Sequence, residues 1–177
     1  MVTGAPGVGK TTLIERIHHH YKDMGLSIAG ITTREVRERD RRVGFRITDL
    51  SSGTEGWLAR IGEGPGPRIQ KYTVDSEDLE KVGVNAIRKS AGRINDMVLV
   101  DEIGPMEMTS NNFRKAIDDL LSSDQIIVAT LKQGSHYPEL EKAKNAHMVR
   151  IEILRENRDQ AFQEITFVVD KWTKPRN

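Results

Sequence analysis

A glycine-rich loop near the N-terminus constrains the fold of this chain more than any other feature. Residues 4–11 read GAPGVGKT and fit the pattern G-x-x-x-x-G-K-[ST] at every fixed position. In such loops, successive backbone N–H groups converge on phosphate oxygens, and the glycines permit that close approach. Residues 1–3 form the end of a predicted strand, and residues 10–22 have helical spacing, so the positive end of a helix dipole faces the loop. The segment predicts a nucleoside triphosphate site in an α/β protein.

The loop pattern also assigns roles to individual residues. Lys10 is expected to reach the β- and γ-phosphate oxygens, and the hydroxyl of Thr11 to bind Mg²⁺. Only three residues precede the loop, so the first strand is either very short or begins upstream of Met1. The nucleotide-binding residues predicted in this segment are Gly4, Ala5, Pro6, Gly7, Val8, Gly9, Lys10, Thr11 and Thr12.

Two carboxylates follow one of the most apolar segments of the chain. Residues 97–100 (MVLV) predict a strand buried on both faces, and Asp101 and Glu102 come directly after it. Because ligands of open α/β sheets bind at the carboxyl ends of the strands, we expect this pair beside the glycine-rich loop, on a neighbouring central strand. Asp101 is expected to hold Mg²⁺ together with Thr11. Strand alternation places Glu102 on the opposite side, free to polarise a water molecule.

A β-rich insertion is predicted at residues 34–74, after the second strand. Eight of the nine residues from Arg34 to Arg42 are ionisable, five of them Arg. Two interpretations of this segment stay open: its tip senses a phosphate, or it is a salt-bridged solvent face because three acids offset the arginines. The runs at residues 43–50, 57–61 and 69–74 have strand character, that at 43–50 by its alternation, and together predict a hairpin or meander.

The remaining pattern completes one predicted domain over residues 1–177, a mostly parallel sheet flanked by helices. The polar residue Thr130 ends a predicted strand. Two interpretations stay open: its hydroxyl senses the γ-phosphate or orients water, or it is a simple strand-end hydroxyl. Three successive histidines, residues 18–20, point about 100° apart on a helix and cannot converge on one metal ion. Further strands are predicted at 26–36, 125–130 and 147–154, and helices at 75–89, 111–121, 138–145 and 157–172.

The composition excludes several functional classes. With 37% hydrophobic and 30% charged residues in a chain of 177, we expect one folded domain. The net charge of +1 gives no general attraction to nucleic acid or anionic membrane. Without cysteine, disulfides, thiol catalysis and cysteine-ligated zinc are excluded. No apolar run is long enough to cross a bilayer and no signal-peptide pattern precedes the loop, so we expect a cytoplasmic protein, with a monomer favoured.

Several further segments carry a family resemblance that extends over nearly the whole chain. They are residues 4–13 (GAPGVGKTTL), 35–37 (EVR), 41–45 (RRVGF), 101–107 (DEIGPME) and 156–158 (ENR). In these segments the chain resembles the small P-loop nucleoside triphosphatases of thermophilic archaea and bacteria, whose animal member is called cancer-related nucleoside-triphosphatase. The block at 101–107 is far more specific than either nucleotide-binding motif alone.

The resemblance implies a RecA-like P-loop core that hydrolyses ATP, GTP and other nucleoside triphosphates slowly, with Mg²⁺ and with broad base specificity. Pro105 stands where the family frequently has Lys, so any catalytic help from that Lys is missing here. The loops at 132–137 and 156–158 are the expected walls of a base pocket, from their place in the topology.

Hydrolysis of the β–γ bond by water is the leading hypothesis. Glu102 would deprotonate the water, and Lys10 with Mg²⁺ would stabilise charge on the γ-phosphoryl group. Arg158 and Arg37 are the candidates for a cationic finger, a group that contributes about 10³–10⁵ in rate where it acts.

Two other functions suit a P-loop chain of this size. A nucleotide or small-metabolite kinase must keep water from the γ-phosphate, so a carboxylate able to activate water beside that phosphate argues against a kinase. A nucleotide-dependent switch or nucleic-acid-handling ATPase is disfavoured by near-zero net charge and only nine Trp, Tyr and Phe residues. Nucleic acid is therefore disfavoured as a partner, and nucleoside triphosphates are expected.

Overall fold

A mixed β-sheet with helices on both faces forms the frame of the structure, a computed structural model that describes residues 1–92, 95–142 and 148–173. In these ranges the strands are β1 (Val2–Gly4), β2 (Ile28–Glu38), β3 (Arg41–Asp49), β4 (Glu55–Ile61), β5 (Arg68–Ile69), β6 (Tyr72–Val74), β7 (Met97–Ile103), β8 (Ile127–Lys132) and β9 (Ile151–Glu152). The helices are α1 (Lys10–Asp23), α2 (Ser76–Asp78), α3 (Asn85–Ala91), α4 (Asn111–Leu121), α5 (Pro138–Lys142) and α6 (Arg158–Asp170). A π-helical stretch (Leu79–Val84) joins α2 to α3, and a 3-10 turn (Glu107–Thr109) precedes α4.

The strand order is β5-β6-β4-β3-β2-β7-β8-β1-β9. Strands β2, β7, β8, β1 and β9 are parallel, whereas β3 to β6 form an antiparallel extension beyond β2. The predicted architecture, a mostly parallel α/β sheet with an antiparallel insertion after the second strand, is confirmed. The prediction that the Asp101 strand neighbours β1 is wrong, because β8 lies between them. The apolar pattern of a strand shows that it is buried but does not show which strands lie next to it in the sheet.

The charged segment at 34–42 belongs to the β2–β3 hairpin. Arg39 and Asp40 form its turn with φ values of 45° and 63°, the positive φ that a two-residue type I′ turn requires. Glu35 pairs with both Arg37 and Arg42, and Arg34 lies 3.1 Å from Glu15 of α1. These ion pairs favour the salt-bridged interpretation of the segment.

Strand β7 is buried between two apolar cores. Met97 and Leu99 pack in the core that contains residues of α1 and α6, and Val98 and Val100 in the core that contains residues of α3 and α4. All four side chains are fully buried, as predicted. Burying each one stabilises the fold by about 1.5–3 kcal/mol. This burial on both faces fixes the position of the carboxyl end of β7, at the edge of the sheet where the parallel strands end.

The predicted boundaries are least accurate near the C-terminus. The strand expected at 147–154 is confined to Ile151–Glu152 among the described residues, and the helix expected at 138–145 is described as far as Lys142. Residues 143–145 of the predicted helix and residue 147 of the predicted strand lie outside the described ranges. In the part of the chain that the structure describes, no helix has the length and apolar character needed to cross a bilayer.

Candidate nucleotide-binding site

The glycine-rich loop connects β1 to α1 as predicted. Strand β1 ends at Gly4 and α1 begins at Lys10. Gly9, the N-cap residue of α1, has a φ of 107°, which only glycine adopts readily. The first turn of α1 therefore opens directly from the loop, with its unpaired N–H groups available to an anion.

Lys10 lies folded over the inside of this loop and is only 7% exposed. Its Nζ donates hydrogen bonds to the carbonyl oxygens of Gly4 at 3.1 Å and Ala5 at 3.4 Å. The same atom lies 3.4 Å from Oε2 of Glu102. The side chain thus links the loop to the carboxyl end of β7.

Asp101 is buried beside the loop, with 1% of its surface exposed. Its Oδ1 accepts a hydrogen bond from the hydroxyl of Thr130 at 2.7 Å, whereas its Oδ2 has no hydrogen-bond partner among the described residues. Burial raises the pKa of Asp101 to about 6, although Thr130, Thr11 and the charge of Lys10 act in the opposite direction. A buried carboxylate oxygen without a partner is costly unless a cation or donor reaches it.

These oxygens fit a magnesium site. Mg²⁺ in P-loop proteins takes one or two protein oxygens and completes its octahedron with phosphate and water. Asp101 offers the unpartnered Oδ2, and the hydroxyl of Thr11 is close enough to affect the same carboxylate. No group of three or more His, Cys, Asp or Glu that could hold a metal ion is present within the described ranges.

Glu102 is predicted to point to the opposite side of the strand from Asp101, yet both carboxylates face Lys10. The pairing of β7 with β8 shifts register between Val100 and Ile103, which interrupts the alternation expected of a regular strand. Both Asp101 and Glu102 consequently interact with Lys10. The side chain of Glu102 keeps 27% of its surface exposed, so water can reach it.

Thr130 acts on Asp101. The predicted strand end at Thr130 is two residues short, because β8 continues to Lys132. The fully buried hydroxyl of Thr130 donates to the carboxylate, so in this structure it orients a predicted metal ligand. This role follows from the position of β8 between β1 and β7.

The two candidate arginines differ. Arg158 begins α6, and its Nε donates to the carbonyl oxygen of Val8 at 2.8 Å, inside the glycine-rich loop. Arg37 lies at the hairpin tip, where it pairs with Glu35 and donates to the carbonyl oxygen of Asp40 at 3.1 Å. The structure brings Arg158 to the loop and leaves Arg37 engaged within the hairpin.

Glu107 is a site residue that the sequence interpretation missed. It is 4% exposed, and burial raises its pKa to about 8; the nearby charges of Glu102 and Asp101 add to the increase, and backbone N–H groups of Glu107 and Gly104 oppose it. The only sequence signal was its place in the specific block at 101–107, five residues after Glu102.

A polar cavity of about 250 Å³ lies at the carboxyl ends of β1, β8 and β9. Its lining includes residues 132–137, one of the two predicted base-pocket walls, and does not include 156–158. A larger cavity of about 490 Å³ opens at the other end of the strands, around Val2, Ile127 and Trp172. The larger one is away from the glycine-rich loop, so volume alone does not locate the site.

Comparison with known proteins agrees with this geometry. Residues 1–166 match a family model described as NTPase. The chain belongs to this NTPase family. It is 39% identical over 166 residues to nucleoside-triphosphatase THEP1 of Methanosarcina acetivorans, covering 93% of each chain. It is also 39% identical over 169 residues to the protein of the same name from Archaeoglobus fulgidus, covering 96% of this chain and 97% of that one.

Two solved structures have the same fold as this NTPase. The crystal structure of THEP1 from Aquifex aeolicus superposes with a TM-score of 0.80 at 27% identity, covering 96% of this chain and 97% of that one. The solution structure of a human cancer-related nucleoside triphosphatase superposes with a TM-score of 0.81 at 32% identity, covering 98% of this chain and 97% of that one. The predicted family, P-loop fold and enzyme class, nucleoside-triphosphatase, are confirmed.

Proposed function

We propose that this NTPase cleaves the β–γ phosphoanhydride bond of ATP, GTP and other nucleoside triphosphates by direct attack of water, with Mg²⁺ and with broad base specificity. The observation that carries the proposal is the meeting of Lys10, Asp101 and Glu102 at the mouth of the glycine-rich loop.

The chain's own residues divide the work of this reaction. Loop N–H groups hold the β-phosphate, and Lys10 exchanges its loop carbonyls for γ-phosphate oxygens. Asp101 and Thr11 would hold Mg²⁺, which when bound neutralises charge shared by the β- and γ-phosphates. Glu102 accepts a proton from the attacking water as the new P–O bond forms, and the electron pair of the broken bond leaves with the nucleoside diphosphate.

Exchange at Lys10 also explains how Glu102 becomes available. In the present structure Oε2 of Glu102 faces the Lys10 ammonium at 3.4 Å. Once Lys10 turns to the γ-phosphate, Glu102 loses part of that contact and can accept a hydrogen bond from water. A base must be within hydrogen-bond reach of the proton it removes, and Glu102 is the partly exposed carboxylate of the pair.

Phosphate release without any acceptor tests the proposal directly. We expect the purified chain with Mg²⁺ to release inorganic phosphate from ATP, GTP, CTP and UTP at rates within about tenfold of one another. The bases differ in the hydrogen bonds they can make, and the loss of one such bond costs about 1 kcal/mol, which is less than a tenfold change in rate. The measurement is a phosphate assay with and without added nucleoside monophosphates. Negligible release until a monophosphate is added would identify a kinase and contradict the proposal.

Arg158 is expected to act mainly on the shape of the loop. A hydrogen bond from a charged donor contributes about 1.5–3 kcal/mol, so Arg158→Ala should weaken nucleotide affinity by about tenfold or more and lower kcat less than that. Equilibrium binding of a fluorescent nucleotide and phosphate release separate the two effects. Arg155→Ala, a change at a nearby exposed arginine, is the control. A fall in kcat of about 10³ with unchanged affinity would instead make Arg158 a cationic finger.

A further inference from the structure

Glu102 and Glu107 approach each other across Gly104. A Cβ atom placed on Gly104 would lie 2.9 Å from Oε1 of Glu102 and 2.8 Å from Oε2 of Glu107. Both oxygens are therefore within 3 Å of one point, and closer to each other than the distance of about 6 Å over which like charges perturb each other. The other oxygen of Glu102, Oε2, is the one that faces Lys10.

A buried carboxyl group with a second carboxylate this close ionises less readily, because like charges in a poorly solvated place repel strongly. Glu107 is the more buried of the two. Its burial, with the charges of Glu102 and Asp101, raises its pKa to about 8 against the opposing effect of backbone N–H groups, so it keeps the proton at neutral pH. Tyr137, from the loop after β8, interacts with both carboxylates. Burial raises the pKa of Tyr137 and the positive charge of Arg114 in α4 acts to lower it; Arg114 also forms an ion pair with Glu139 at 3.1 Å. No Lys or Arg in the described part of the chain is ion-paired with Glu107.

We propose that Glu107 is a positioning residue for Glu102: its buried carboxyl, across Gly104, fixes the direction in which the Glu102 carboxylate faces the reacting water. This inference rests on the proposed role of Glu102. In the nucleotide-free chain, Lys10 faces Oε2 of Glu102, and Glu107 lies on the side of Oε1. When Lys10 turns to the γ-phosphate, the Glu107 side chain stays beside Oε1 of Glu102. The absence of a side chain at residue 104 keeps the space between the two carboxyl groups open.

Gly104→Ala tests the geometry with a single methyl group. The new Cβ would be closer than 3 Å to both carboxylate oxygens, so one or both must move. A displacement of about 1 Å at a reacting group can lower the rate about 10²-fold, so we expect kcat to fall by about 10- to 100-fold with nucleotide affinity within about threefold of wild type. Gly92→Ala is the matched control, because a Cβ there meets only the Arg88 carbonyl oxygen at 3.5 Å, an ordinary contact.

Substitutions of Glu107 give a second, independent readout. Glu107→Leu should lower kcat by about tenfold or more, and Glu107→Gln, which has the shape of the protonated side chain, should restore most of that loss. As the pH rises through about 8, Glu107 of the wild type loses its proton and places a second negative charge beside Glu102, so kcat should decline. Glu107→Gln does not titrate and should lack this alkaline decline. Thermal unfolding and nucleotide binding of each variant show that it is folded.

The outcomes separate the inference from the function on which it rests. We expect Gly104→Ala to reduce the residual rate of Glu102→Gln by less than twofold, because the methyl group acts through Glu102. An equal loss in both backgrounds would overturn the inference, as would wild-type kcat in Gly104→Ala or an unchanged alkaline decline in Glu107→Gln. Full activity of Glu102→Gln alone would instead contradict the proposed function.

Discussion

Glu102→Gln is expected to bind nucleotide as the wild type does and to hydrolyse it about 10²–10⁴ times more slowly, the usual contribution of a general base. Gln has the shape of Glu, so the approach to Gly104 and the backbone of β7 should be kept. The amide cannot accept the proton of the attacking water. The loss should therefore fall on kcat, with the dissociation constant of the nucleotide changed little.

Phosphate release and equilibrium binding of a slowly hydrolysed analogue measure the two quantities for Glu102→Gln. Glu164→Gln, at an exposed position of α6, controls for the change of charge. Phosphate release from Glu102→Gln at the rate of that control would remove Glu102 from the proposed reaction.

Asp101→Asn should abolish most of the metal-dependent activity. Asn can still accept the hydrogen bond from Thr130 through its carbonyl oxygen, but it replaces the unpartnered, ionisable Oδ2 with an NH₂ group that repels a cation. Several kcal/mol of charge stabilisation come from a bound metal, so we expect a loss of about 10³-fold in kcat/KM at a fixed Mg²⁺ concentration.

Titration of Mg²⁺ into the nucleotide complex, followed by calorimetry as well as by phosphate release, checks this expectation. Mg²⁺ affinity should fall by at least tenfold in Asp101→Asn. Asp119→Asn, on the exposed face of α4, serves as the comparison. An Mg²⁺ affinity equal to that of the comparison variant would move the metal site away from Asp101.

The parts of the site that the sequence could predict are contiguous in the chain. Residues 4–12 form one loop and one helix start, so their spacing alone determines which backbone groups face a phosphate. Asp101 follows the four apolar residues of β7 that must be buried on both faces, and that burial places it in the carboxyl-terminal half of the strand. Local pattern was sufficient for both segments.

The features that the sequence did not predict correctly depend on contacts between segments that are distant in the chain. The position of β8 beside β1 comes from the packing of whole crossovers, which no single strand records. The orientation of Glu102 follows from an irregularity in β7–β8 pairing, whereas period-two reasoning assumes a regular strand. The role inferred for Glu107 depends on its burial and on Gly104, neither of which the letters 101–107 reveal. The charged stretch at 34–42 lacked the apolar alternation that marks a strand, yet it forms the β2–β3 hairpin, in which Arg42 of β3 pairs with Glu35 of β2.

The contact between Lys10 and Glu102 has a consequence for turnover. After the reaction, the diphosphate product no longer presents a γ-phosphoryl group, so the lysine has less to hold on the nucleotide. In the proposed reaction the ammonium would then return to the carboxylate and to the carbonyl oxygens of Gly4 and Ala5, its partners in this structure. The free protein would thereby supply an internal counter-ion that competes with the diphosphate product for Lys10, which would favour product release and return the site to its starting state.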